Sequence, residues 1–225
     1  MKTYTHNLVN CPKLKQITNE DGVRKYVTPE GNHYESVTTF ISRLSCKKKL
    51  FEWQKRIGHV AAKKETVRTQ VRGKSVHSLV ETYVRNKPLD LTNPLSKQLF
   101  VRIRPVVERI DNLRVIESAL YSNRLKLAGT PDIIGDFDDV LSVIDVKTST
   151  KMKQKKAIMS YYLQTACYAI FFEEHFEMLP QQAVILMVSE EEPEPKVFIE
   201  PIKGCIKALE AFIENPVEFN RRIAA

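Results

Sequence analysis

Between residues 113 and 189 apolar residues either alternate with polar ones or cluster in short blocks. This pattern predicts strands at Leu113–Ser122, Leu125–Ile134, Val140–Thr148 and Gln182–Ser189. The turn-forming run Gly135-Asp136-Phe137-Asp138-Asp139 joins the second and third of them. Ala157–Phe176 is apolar over a length that only a helix explains. After the polar loop 190–195, Lys196–Ile202 reads as a last strand and Ile206–Phe219 as a closing helix. Upstream the period is helical. One stretch runs through Trp53, Ile57 and Val60, a second covers Val71–Arg85 and stops before Lys87-Pro88, and a third covers Pro94–Ile110, with Pro105 as a strain inside it. Near the amino end, short alternating segments flank Pro29-Glu30-Gly31-Asn32, which predicts a hairpin over Tyr26–Phe40 with Ser36 capping the helix that follows. Strands, helix, strand, helix on one core imply an α/β fold with helices on both faces of a sheet. The expected organisation is an N-terminal hairpin and basic helical region over 1–70 and a core over 71–225, forming one unit.

Composition narrows the class. The chain of 225 residues is 43% hydrophobic and 28% charged, and no apolar run reaches the roughly 18 residues that cross a bilayer. No membrane association is expected. The opening MKTYTHNLVNC lacks an apolar signal core and transit-peptide arginines, so a cytoplasmic location is expected. Cys11, Cys46, Cys167 and Cys205 lie far apart with no C-x-x-C pair, which points to free buried thiols. The net charge of +8 is unevenly spread: Arg43–Lys74 carries eleven Lys/Arg against two acids, whereas 171–225 carries eleven acids against five bases. A positive lobe on one side suits a phosphate polymer, because each neutralised phosphate releases counterions. A solvated basic helix explains the same numbers.

The candidate chemistry begins with LSVIDVK, residues 141–147, where an aspartate and a lysine interrupt an apolar strand. Side chains two apart share a strand face, so Asp145 and Lys147 are neighbours. Burying the two charges costs several kcal/mol unless each is partnered. Either they form a structural ion pair, or Asp145 holds a divalent cation while Lys147 meets a phosphate or the attacking water. Asp132, in Gly129-Thr130-Pro131-Asp132 on the preceding strand, favours the second reading, because two carboxylates then converge on one hard cation. The helix over 73–81 carries Gly73, His77 and Glu81 at steps of four, which keeps them on one face with a drift of about 40° per step. Gln164 and Tyr168 align likewise on the later helix.

In this order (His77, Pro131-Asp132, Asp145-Val146-Lys147, Gln164-x-x-x-Tyr168) the chain resembles the RecB-like branch of the PD-(D/E)XK nuclease superfamily. The hairpin and helix TPEGNHYESVTTFISRL with LFEWQKRIG extend the resemblance to phage exonucleases and the mitochondrial genome maintenance exonuclease, over about residues 26 to 170. The resemblance implies a central mixed β-sheet flanked by helices. It also implies a metal-dependent DNA exonuclease that prefers single strands or ends and leaves 5′-phosphates. His77, Asp132, Asp145 and the Val146 carbonyl would bind Mg²⁺ or Mn²⁺, and Lys147 would stabilise charge. Glu117 would support the metal or the lysine, and Glu81 would hydrogen-bond the His77 ring. Gln164, Tyr168, Lys151 and Lys153 would contact substrate or brace the site, with Phe40, Phe51 and Trp53 as stacking candidates. The iron–sulfur members use closely spaced cysteines that this chain lacks, so no cluster is expected. The alternatives are a structure-selective endonuclease on the same scaffold and a noncatalytic DNA-binding subunit of a recombination complex. A host cytoplasm is expected if the source is a phage.

Overall fold

In the computed structural model, which describes residues 2–18 and 24–224, the strands in chain order are β1 (Lys15–Thr18), β2 (Arg24–Val27), β3 (His33–Ser36), β4 (Ile110–Ile116), β5 (Leu120–Ser122), β6 (Leu127–Gly129), β7 (Ile133–Phe137), β8 (Val140–Ser149), β9 (Gln182–Ser189) and β10 (Lys196–Pro201). The helices are α1 (Val37–Leu44), α2 (Lys48–Ile57), α3 (His59–Val84), α4 (Pro94–Val107), α5 (Met159–Phe176), α6 (Ile202–Glu214) and α7 (Pro216–Ala224). The main sheet has the order β10-β9-β8-β7-β4, with β8 and β9 parallel and the other pairs antiparallel. β8 lies at its centre and is covered on both faces, which explains its near-continuous apolar sequence. Val143 faces the apolar layer of α5 and α6, whereas Ile144 and Val146 face that of α3 and α4. The expected α/β architecture is thus present, with the helices on both sides of a mixed sheet.

Two expected strands are each divided. Leu113–Ser122 breaks after β4 at Glu117, whose φ of +45° turns the chain into the left-handed region. Leu125–Ile134 breaks at Thr130-Pro131-Asp132, where proline has no N–H for a ladder. The pieces β5 and β6 therefore leave the main sheet and complete a second one, β1-β2-β3-β6-β5, through a parallel pairing of β3 with β6. The N-terminal hairpin is β2–β3, closed by Val27↔His33, and it shares this sheet with strands of the core. β1 was not expected, since Lys15-Gln16-Ile17-Thr18 has no apolar alternation. The β7–β8 turn is shorter than expected: Asp138 and Asp139, with φ of +49° and +64°, form the two-residue loop that suits the twist of a hairpin.

The helical lobe follows local rules. Ser36 caps α1, its side chain accepting from the Thr39 N–H at 3.2 Å. Gly58, at φ +83°, separates α2 from α3. α3 then continues without interruption from His59 to Val84 and so passes through position 70. Pro105 fits α4 because it sits on the exposed side near the last turn. The closing helix is two: Asn215 accepts from the Glu218 N–H and Pro216 starts α7. Cys167 and Cys205 are buried as expected, while Cys46 is exposed. Among the described residues no helix is long and apolar enough to cross a membrane.

Candidate active site

The β7–β8 ladder ends at Ile133↔Ile144, so beyond it the β7 side of β8 is open. The Asp132 carboxylate fills that place: Oδ2 accepts the Val146 N–H at 2.7 Å. The Val146 carbonyl, which in an extended strand points to the same side as its N–H, faces the same opening. Asp132 is itself fixed through its backbone carbonyl, which accepts the Glu117 N–H at 3.0 Å. The left-handed turn at Glu117 thereby places its side chain beside Asp132. Strained backbone of this kind costs about 1–3 kcal/mol and recurs where a side chain must be aimed. From the other direction α3 supplies His77. Its Nδ1 lies 3.4 Å from Asp132 Oδ2 and 3.9 Å from Glu117 Oε1. One donor atom from each of His77, Glu117 and Asp132 lies within 4.8 Å of the others, a nitrogen-and-oxygen set able to hold a divalent cation.

Next to this trio stands the buried pair. Lys147 Nζ donates to Asp145 Oδ1 at 2.7 Å, and Gln164 Nε2 donates to the same oxygen at 3.3 Å. The second oxygen, Asp145 Oδ2, is buried and has no hydrogen-bond partner among the described residues. A buried carboxylate oxygen left bare is costly. A cation bound beside it removes that cost, so the donor set fits a divalent metal.

The charges follow from burial and contact. Burial works to lower the His77 pKa, but the Asp132 carboxylate and the Glu117 hydrogen bond outweigh it and hold it at about 10. Burial works to raise Asp132, yet His77, Lys147 and the Val146 N–H keep it below the usual carboxylate range. For Asp145 burial prevails over Lys147, and with the Asp132 charge nearby it lifts the carboxyl to about 6. Burial disfavours the Lys147 ammonium, but Asp145 and Asp132 more than compensate and keep it protonated. Glu117 is raised by burial and by the Asp132 charge.

The residues expected to act together divide into two contacting groups: His77, Glu117, Asp132 and the Val146 backbone, and Asp145, Lys147 and Gln164. Gln164 Nε2 also lies 3.4 Å from the Tyr168 hydroxyl. Tyr168 packs against Gly129, where an added Cβ would lie 2.8 Å from Cε1. Gly129→Ala should therefore displace the ring and destabilise the fold by about 1–3 kcal/mol, read as a lower denaturation midpoint. An unchanged midpoint would show that the Tyr168 ring is free to move. Glu81 does not take the expected place on the His77 ring. Its carboxylate accepts from Arg85 Nε at 2.9 Å, and Arg85 in turn donates to the Ile116 carbonyl at the end of β4.

Tyr161 was missed. Lys147 Nζ stands 5.0 Å and Lys153 Nζ 5.1 Å from its ring centre, and Lys153 donates to its hydroxyl at 2.6 Å. Its place three residues before Gln164, on the same helical face, was the available signal. Lys151 is mostly exposed and lies 3.5 Å from Glu191. Of the aromatic candidates, Phe40 packs edge-on against Phe212 in the core and Phe51 is exposed on α2, while Trp53 borders a cleft.

The family model of the PD-(D/E)XK nuclease superfamily matches residues 95–221, more than half of the chain. That span contains Glu117, Asp132, Asp145, Lys147, Gln164 and Tyr168, with His77 upstream of it. None of the curated proteins compared with the chain matches it.

Proposed function

The chain belongs to the PD-(D/E)XK nuclease superfamily, and on that premise we propose that it is a metal-dependent DNA exonuclease of the RecB-like branch. In this reading it acts in a cytoplasm on single strands or DNA ends and leaves 5′-phosphates. The observation that supports it is the convergence of His77, Glu117 and Asp132 beside a buried Asp145–Lys147 pair with one bare carboxylate oxygen.

His77, Asp132, Asp145 and the Val146 carbonyl would hold the cation, and Glu117 would join them as a further ligand or as partner to a second ion. Imidazole among carboxylates suits Mn²⁺ as well as Mg²⁺. When bound, the cation supplies Lewis acidity toward the scissile phosphate and a source of nucleophilic water near neutral pH. Lys147, kept charged by Asp145, presents its ammonium to the negative charge that builds on the phosphate oxygens. Gln164 and Lys147 both bond Asp145 Oδ1 and so orient the carboxylate with Oδ2 free. Tyr161 and Tyr168 brace the lysine and the glutamine.

Linear single-stranded DNA should be degraded with Mn²⁺ or Mg²⁺ and stay intact with EDTA. A covalently closed single-stranded circle should survive conditions that consume the linear form. Cleavage of the circle would replace the exonuclease by an endonuclease on the same scaffold. His77→Ala removes the one nitrogen ligand, so the Mn²⁺ concentration for half-maximal hydrolysis should rise by about tenfold or more. An unchanged metal titration would remove His77 from the site.

A further inference from the structure

Two clefts flank successive turns of α3, with Arg72 lining one and Gly73 the other. Gly73, His77 and Asp132 line the one at the metal trio. The other, of about 940 Å³, lies between α2, the preceding turns of α3 and the strand end beyond Lys147. Its walls include Leu50 and Trp53 from α2, Arg72 from α3, and Thr148, Lys151 and Lys153 from the end of β8 and the loop after it. Such a volume is at the upper end of the roughly 300–1,000 Å³ range of small-molecule sites. Its wall is linked to Lys147 through Tyr161: Lys153 donates to the Tyr161 hydroxyl, and the Tyr161 ring lies against Lys147.

We propose that this second cleft is a subsite for the unpaired nucleotides that follow the scissile phosphate, with Trp53 as the surface on which a base stacks and Lys151 and Lys153 as the phosphate contacts. The inference rests on the nuclease reading given above and adds where the strand lies and why it must be single.

The wall chemistry is that of a nucleotide chain. A partly exposed indole and the half-exposed Leu50 present apolar surface to a base, while Lys151, 3.5 Å from Glu191, and Lys153, bonded to the Tyr161 hydroxyl, supply ammonium groups on the same lining for phosphates. The acidic residue on the wall, Glu65, is neutralised by Arg68 at 2.8 Å. Arg72 is buried and bonded to Glu190, Thr148 and Thr150, so it holds the floor in place. Ser149, on the same strand face as Asp145 and Lys147, is buried along the cleft with a hydroxyl that has no hydrogen-bond partner among the described residues. A base in a duplex is already stacked on its neighbours, so Trp53 can serve only a strand whose bases are open. The preference for single strands thus arises in this cleft.

Trp53 is the single tryptophan of the chain, so its fluorescence reports on the cleft alone. With EDTA present to prevent hydrolysis, a 12-nucleotide oligo(dT) should quench the emission saturably, and a 12-base-pair duplex should leave it unchanged. Trp53→Ala should weaken binding of the labelled single strand, followed by anisotropy, by about 5- to 100-fold. Lys151→Ala, which keeps the tryptophan, should shift the quenching curve to higher oligonucleotide concentration. Binding of the single strand with unaltered emission, or equal quenching by the duplex, would overturn the subsite. A parallel Mn²⁺ assay separates the two levels. Hydrolysis without quenching refutes the cleft and leaves the nuclease reading standing, whereas quenching without hydrolysis supports the cleft and refutes the nuclease.

Discussion

Replacing Asp132 by alanine is expected to lower hydrolysis by about 10³-fold or more, the combined scale of a lost metal ligand and lost charge stabilisation. The carboxylate is where three elements meet: it accepts the Val146 N–H, faces the His77 ring at 3.4 Å, and shares the cation site with Glu117. Alanine removes all of these and leaves a backbone N–H of the central strand without its partner. Asp132→Asn separates the causes. The amide oxygen still accepts from Val146, so the fold should keep nearly its full stability, while the lost negative charge should still remove most activity. Activity near the parental level in the asparagine variant would mean that the carboxylate serves only to close the strand. DNA binding at low salt should persist in both variants, since the basic residues of α2 and α3 are untouched, and it should fall steeply with added salt.

Lys147→Met should have the second large effect, a loss of about 10²–10³-fold in turnover. Here stability and chemistry pull together, because Asp145 loses its ion partner inside the sheet. Breaking a buried pair by removing one member costs about 3–5 kcal/mol, and the Asp145 carboxyl, already lifted to about 6, will then take up a proton at higher pH. The double variant Lys147→Met with Asp145→Asn should recover much of the stability, since no buried charge is left alone, and none of the activity. If the double variant regained hydrolysis, the pair would be structural.

Much of the main sheet is legible in the sequence because its elements are locally consistent. β8, β9 and α5 are apolar over the lengths their secondary structure requires, and Asp145 and Lys147 stand out because charge is rare in a central strand. The second sheet is hidden for a physical reason. Its parallel joint pairs Ser36 with Ala128, a contact between distant segments that leaves no local pattern. The same holds for the amino-terminal segment, where Tyr4 packs edge-on against Tyr83 although nothing nearby in sequence suggests burial. Glu117 is legible as an acid near the site, but not as a member of the trio. That placement depends on a left-handed turn at a residue type that rarely makes one. Glu81 shows the opposite limit. Helical spacing puts it on the His77 face, and spacing alone cannot show that Arg85, one turn further on, takes its carboxylate. Tyr161 becomes visible only when α5 is laid against β8 and brings the ring beside two lysines.

The central claim is that one divalent cation is held jointly by His77, Asp132 and Asp145, with Glu117 at hand. Anomalous X-ray diffraction from crystals soaked in Mn²⁺ tests it most directly. A manganese peak is expected, bonded to the His77 ring and to the Asp132 and Asp145 carboxylates and absent from Asp132→Ala crystals. Manganese bound elsewhere on the protein, with these side chains left without an ion at saturating concentration, would contradict it.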